Sequence, residues 1–226
     1  MARHFHDELK QLKQKLLEMS FMVEEQVAHA CDALLSLDPD LAREVIENEK
    51  IIDSLEIEID EKGHSLFALG QPMAVDLRLI SMALKINNDL ERMADHAVNI
   101  AEKCLLIIQV DRAASEPLLE KMAGCVQKML RDSLDSFLKE DAELALDVLK
   151  RDDEVDDLNK QVYYRISGLM ERNSGAVTAG VHLIMIGHNL ERVADLAVNI
   201  AEDVIYLKQG KEVRHGYQMG NASSGT

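Results

Sequence analysis

The stretch NDLERMADHAVNIAE, Asn88 to Glu102, returns one hundred residues later as HNLERVADLAVNIAE, His188 to Glu202. Between Leu90 and Glu102 only Met93 and His96 differ from their counterparts, Val193 and Leu196. A second set of matches runs at an offset of 103. Asp38, Leu41, Ala42, Val45, Glu49, Ile52, Asp53 and Leu55 correspond to Asp141, Leu144, Ala145, Val148, Asp152, Val155, Asp156 and Leu158. The three-residue change falls between the two sets, where the segments LGQP and RNSG lie. Length changes belong in loops, so the chain reads as one unit used twice.

Each unit reads as three helices. Leu9, Leu12, Leu16, Met19, Val23, Val27, Ala30 and Leu34 step by three and four, one apolar stripe along a helix. At Asp38–Asp40 the sequence DPD stops it and starts a second, with Asp38 as cap and Pro39 in the first helical position. That stripe continues through Leu41, Val45, Ile52, Leu55, Ile59 and Leu66 to a break at Gly70–Pro72. A third helix is predicted over 72–108, apolar almost all round at its start, as a helix in the middle of a bundle is. In the second unit Ser115 is predicted to cap a fourth helix, a fifth runs from about Asp141 to the NSG break at Asn173–Gly175, and a sixth spans 176–207. The spacing predicts an all-α fold of two tandem antiparallel three-helix bundles related by a pseudo-twofold axis, over 1–110 and 111–210. The Gly/Ser-rich end, 211–226, reads as a disordered tail.

Composition narrows the function. The 226 residues carry 25 Lys and Arg against 41 Asp and Glu, a net charge of −16. Such a surface repels nucleic acid and anionic headgroups and favours metal ions or basic protein patches. No apolar run approaches the roughly 20 residues that span a bilayer, and the start MARHFHDELK has no apolar signal core. The three cysteines, Cys31, Cys104 and Cys125, lack CxxC spacing and suit reduced, buried thiols in a cytoplasmic protein. No Gly-rich phosphate loop and no Ser-His-Asp or Cys-His signature is present.

The acids carry the chemistry. Glu91 and Asp95 stand at i and i+4 on one helix face, and Asn88, Asn99 and Glu102 fall on the same side. The second copy has His188, Glu191, Asp195, Asn199 and Glu202. The helix before each copy has its own pair, Glu49 with Asp53 and Asp152 with Asp156. Sequential antiparallel helices lie side by side, so four carboxylates per half are expected to face one another. Packed like charges raise each other's pKa unless a cation joins them, and hard cations such as Mg²⁺, Mn²⁺ or iron take carboxylate oxygens. The Glu-x-x-His pattern of di-iron bundles is absent; His188, three residues before Glu191, is the nearest approach to it. The plainer alternative is that these acids form the wet side of an amphipathic helix, opposite Leu90, Ala94, Ala97, Val98 and Ala101. Recurrence of both pairs in both halves puts metal on an equal footing with that alternative. His64, His96 and His182 read as surface or core residues, Arg92 and Arg192 as partners in local salt bridges, and the eleven Met as core filler.

The two copies, together with QPMAVDLRLI and the opening RHFHDELKQLKQKLLEM, resemble the PhoU family of phosphate-signalling regulators. The resemblance covers roughly residues 3–208, with Ala94 and Ala194 where the family usually has Gly. It implies metal clusters of iron, zinc, manganese or magnesium, held by Glu49, Asp53, Glu91 and Asp95 in one half and by Asp152, Asp156, Glu191 and Asp195 in the other. It further implies a cytoplasmic, non-enzymatic and often homodimeric negative regulator of phosphate uptake. Such a protein links the ATPase subunit of a phosphate ABC transporter to a sensor histidine kinase and reaches the membrane only through these partners. A carboxylate-bridged metalloenzyme, an oxidase or a phosphatase, is the alternative reading of the same acids.

Overall fold

In a computed structural model the described residues are 2–69, 73–111, 114 and 116–209. The first half is α1 (Ala2–Ser36), α2 (Pro39–Leu69) and α3 (Ala74–Val110). The second is α4 (Pro117–Lys139), α5 (Ala142–Leu149), α6 (Asp152–Arg172), a 3₁₀ turn (Ser174–Ala176) and α7 (Val177–Gln209). There is no strand among the described residues. The fold is the expected all-α pair of bundles. The break at Gly70–Pro72, the cap at Ser115 and the tail 211–226 lie outside the described residues.

The duplication is visible in backbone detail. Among the described residues Leu37 and Glu140 are the two non-glycine residues with positive φ, 49° and 50°, and each directly precedes a capping Asp. Asp38 N–H donates to Ala33 O at 3.1 Å, and Asp141 N–H to Ser136 O at 2.9 Å. These bonds close the end of α1 and of α4, as a left-handed residue after a helix allows. Asp38 Oδ1 then accepts from the N–H groups of Asp40 and Leu41, and Asp141 Oδ1 from those of Glu143 and Leu144. Donors that a new helix leaves without an internal partner are thus satisfied by the same side chain twice.

The halves differ in one respect that the sequence reading missed. The single helix expected from Asp141 to Asn173 is interrupted at Lys150 and Arg151. Arg151 N–H bonds to Val148 O, three residues back, and Glu154 N–H to Arg151 O, so one tight turn replaces regular α geometry. Arg151 turns in to pair with Asp132 of α4. Its counterpart Asn48 has no such partner, and α2 runs through unbroken. At the start of α4, Glu116 supplies the cap, accepting from Leu118 N–H at 3.2 Å.

The core is one continuous apolar cluster. Leu12, Leu16, Met19, Val23 and Val27 of α1 meet Ile52 and Ile59 of α2 and Ile86, Leu90 and Met93 of α3, all fully or almost fully buried. Leu119, Met122 and Val126 of α4 meet Val155 and Val162 of α6 and Leu190 and Val193 of α7 in the same way. The two halves join along α3 and α7, the helices that carry the repeated stretch and pack most extensively. They run antiparallel. Lys85, early in α3, bonds Asp203, late in α7, and His96 Nδ1 lies 2.9 Å from Asn189 Oδ1.

Candidate metal centre

Alternation of apolar and acidic positions aims the carboxylates. In α3, Leu90, Met93, Ala94, Ala97 and Val98 are buried, while Glu91 and Asp95 are half-buried at the edge of the core. In α2, Ile52, Leu55 and Ile59 are buried, which places Glu49 and Asp53 along the same seam. Burial, and then the charges of Asp53, Asp95 and Glu102, push the Glu49 pKa up. Burial followed by Asp95, Glu56 and Asp53 does the same to Glu91. Asp95 is raised by burial and by Asp53. Each acid of α3 therefore feels an acid of α2, so the facing of the two rows expected from sequence is present in the first half.

The second half repeats it across α6 and α7. Asp152 is pushed up to about 6, by burial first and then by Asp156, Asp195, Asp153 and Glu191. Asp152 thus feels the charges of the other three predicted residues of this half. Here the acids already have local partners: Arg192 Nη1 donates to Asp195 Oδ2 at 2.8 Å, and His188 Nδ1 sits 3.0 Å from Glu191 Oε2. Among the described residues Glu49, Asp53, Glu91 and Asp95 make no ion pair, so the first half is the less compensated. Arg92 stands beside Asp89, at 4.0 Å.

Among the described residues no three His, Cys, Asp or Glu side chains are gathered in a coordination shell. Facing carboxylates repel one another. The donor set itself fits a hard ion: oxygen donors only in the first half, mutually repulsive, on two helices that a bound cation would tie together.

Glu56 was missed by the sequence reading. Its pKa is raised by burial and by Asp60 and Asp53, and it acts in turn on Glu91. It stands three residues after Asp53 and seven after Glu49, so helical spacing alone places it on the row. It was passed over because the acids were selected by recurrence, and its counterpart is Asn159. Cys31 and Cys104 are buried as expected, whereas Cys125 is half-buried. Burial pushes Cys31 up to about 12 and Cys104 up to about 11, far from a reactive thiolate.

Two tandem three-helix bundles, each with carboxylate rows facing across a helix pair, define a class of duplicated helical proteins built around acidic seams. The comparisons place the chain within it. The PhoU domain model matches residues 16–104 and 119–204, and the chain belongs to the PhoU family. It is 38% identical over 214 residues, 93% of this chain and 91% of the relative, to a phosphate-specific transport system accessory protein PhoU homolog 1 of Thermotoga maritima. A Caulobacter vibrioides homolog of the same description is 35% identical over 94% of this chain and 93% of its own length. The crystal structure of PhoU from Pseudomonas aeruginosa superposes with a TM-score of 0.89 at 36% identity, covering 92% of this chain and 100% of that one. That of the phosphate transport system regulatory protein PhoU from Streptococcus pneumoniae superposes with a TM-score of 0.85 at 31% identity, covering 92% and 99%.

Proposed function

We propose that this chain is a cytoplasmic, non-enzymatic negative regulator of phosphate uptake and of the phosphate-starvation two-component response. It acts as a homodimeric adaptor between the ATPase subunit of a phosphate ABC transporter and a sensor histidine kinase. The observation that carries this reading is the match to PhoU accessory proteins through both halves, each with its carboxylates converging on one seam. Glu49, Asp53, Glu91 and Asp95, with Glu56 beside them, would hold metal in the first half, and Asp152, Asp156, Glu191 and Asp195 in the second. A bound ion supplies positive charge that cancels the repulsion along the seam. Bridged by an ion, these residues would tie α2 to α3 and α6 to α7, and so set the shape that a partner meets. The net charge of −16 suits docking on basic protein patches.

The test is co-purification from cells grown in high and in low phosphate. Recovery of the kinase or the ATPase subunit in high phosphate, without hydrolytic or redox turnover, is expected. Absence of both partners, or turnover that disappears in Glu91→Gln or Glu191→Gln, would favour the metalloenzyme instead.

A further inference from the structure

Between α1 and α2 lies a cavity of about 230 Å³. Gln26 forms one wall. It is 4% exposed, and neither its Oε1 nor its Nε2 has a hydrogen-bond partner among the described residues. A buried amide left unpaired is costly, so it calls for an explanation. Glu25, His29 and Asn48 complete the polar lining, and Val45 and Ile52 supply an apolar floor. The volume is several times the ~30 Å³ that one water occupies.

The second half identifies the missing group. At the offset of 103, Gln26 corresponds to Met129, His29 to Asp132 and Asn48 to Arg151. The shared turns at Leu37 and Glu140 establish that this register holds in three dimensions. There Arg151 Nη1 donates to Asp132 Oδ2, both side chains half-buried, and Met129 has no exposed surface. The second half thus carries its own guanidinium at this place. In the first half Asn48 removes that guanidinium, Glu25 puts a carboxylate where the second half has Lys128, and Gln26 puts an amide oxygen where it has a thioether.

We propose that the cavity at Gln26 is a guanidinium-binding site, filled by an arginine side chain supplied from outside the bundle. A guanidinium has five N–H donors and no acceptor. It meets Gln26 Oε1, the Asn48 amide oxygen and the Glu25 carboxylate, while its stem lies on Val45 and Ile52, as arginine stems do on apolar surface. Arginine is favoured over lysine because a planar fork engages several fixed acceptors at once. The occupant would brace α2 one residue from Glu49, so the cavity and the acidic seam share a wall.

The test is an NMR titration of the full chain, made metal-free so that its result does not depend on the carboxylate rows. The reporters are the Gln26 side-chain amide and the Met22 methyl, which lies at the cavity edge. The probes are N-acetyl-arginine amide, free arginine and N-acetyl-lysine amide. Saturable shifts with the arginine probes are expected, with Kd on the order of 1–10 mM for so small a ligand, and at least tenfold weaker binding of the lysine probe. Gln26→Met removes the acceptor and fills the space, and His29→Asp with Asn48→Arg installs the second half's own pair. Both should abolish the shifts, and the double variant should also melt higher. Equal binding of capped and free arginine assigns the site to a protein side chain, whereas at least tenfold tighter binding of free arginine assigns it to the small molecule. No saturable shift in the wild type, an equal response to lysine, or shifts that survive in both variants would overturn the proposal.

Discussion

Asp95 on α3 acts on Glu49 on α2 across the seam of the first half. After burial and its own neighbour Asp53, the Asp95 charge is the next cause holding the Glu49 pKa up. The same relation joins Asp152 and Asp195 in the second half. A metal ion bound at the seam would therefore have to compete with protons.

The sign of the pH dependence follows. Glu49, Glu91, Asp95 and Asp152 all have folded pKa values above their ordinary ones. A raised acid stabilises the fold while it is protonated, and that contribution disappears as pH rises through the folded value. For Asp152 the window runs from 3.8 to about 6. Metal-free protein should therefore melt at a lower temperature at pH 7.5 than at pH 5.5. Calorimetry in chelator checks this, and Asp152→Asn should flatten the slope. A melting temperature that climbs over this interval would contradict the assignment.

Removing one charge should stabilise the empty seam. Asp152→Asn is expected to gain about 1 kcal/mol at neutral pH, discounted for the solvent that reaches a half-buried side chain, or roughly 2–4 °C in a chain of this size. Saturating Mn²⁺ or Mg²⁺ should reverse the order. Binding at a hundred times Kd stabilises the wild type by about 2.7 kcal/mol, and the variant by less. Melting curves with and without ion give both numbers; an equal response of the two proteins would count against the ligand set.

The repeated turn makes a cleaner stability test. Asp38→Ala and Asp141→Ala each remove a cap that accepts from two N–H groups. Each should cost about 1 kcal/mol. Glu140→Gly should gain about 0.5 kcal/mol, because φ of 50° strains any residue with a Cβ. Urea titration resolves these differences. Equal stability of either cap variant with the parent would remove the pseudo-symmetric account of the turns.

Much of this molecule was legible beforehand, and the reason is periodicity. Stripes at three and four residues identify helices, and two such stripes in the same order twice identify a duplication. Asp38 and Pro39 marked a helix start because cap chemistry is local. The interruption at Lys150 and Arg151 was not legible, since the apolar stripe Leu144, Val148, Val155 passes through it. The turn depends on Arg151 reaching Asp132 on another helix, which no window of sequence contains. The seam was read from recurrence, which found four acids in each half. The same filter discarded Glu56, where the halves differ. Gln26 was invisible for a similar reason: a single Gln on an apolar stripe carries no signal until its neighbours on α2 are known.

Core packing between the halves should be unforgiving. Leu90 lies in the repeated stretch and has no exposed surface. Leu90→Ala should cost about 2–5 kcal/mol from lost burial and the void left behind. A loss below 1 kcal/mol by chemical denaturation would mean that the α3 core is looser than described.

Elemental analysis by mass spectrometry tests the central claim most directly. The wild type, purified without metal-affinity resins, is compared with a variant carrying Glu91→Gln, Asp95→Asn, Glu191→Gln and Asp195→Asn. Stoichiometric metal in the wild type, lost in the variant while the helical signal is unchanged, is the predicted result. No metal in either, after growth in metal-replete medium, would contradict it and leave the acidic seams as a solvent- or partner-facing surface.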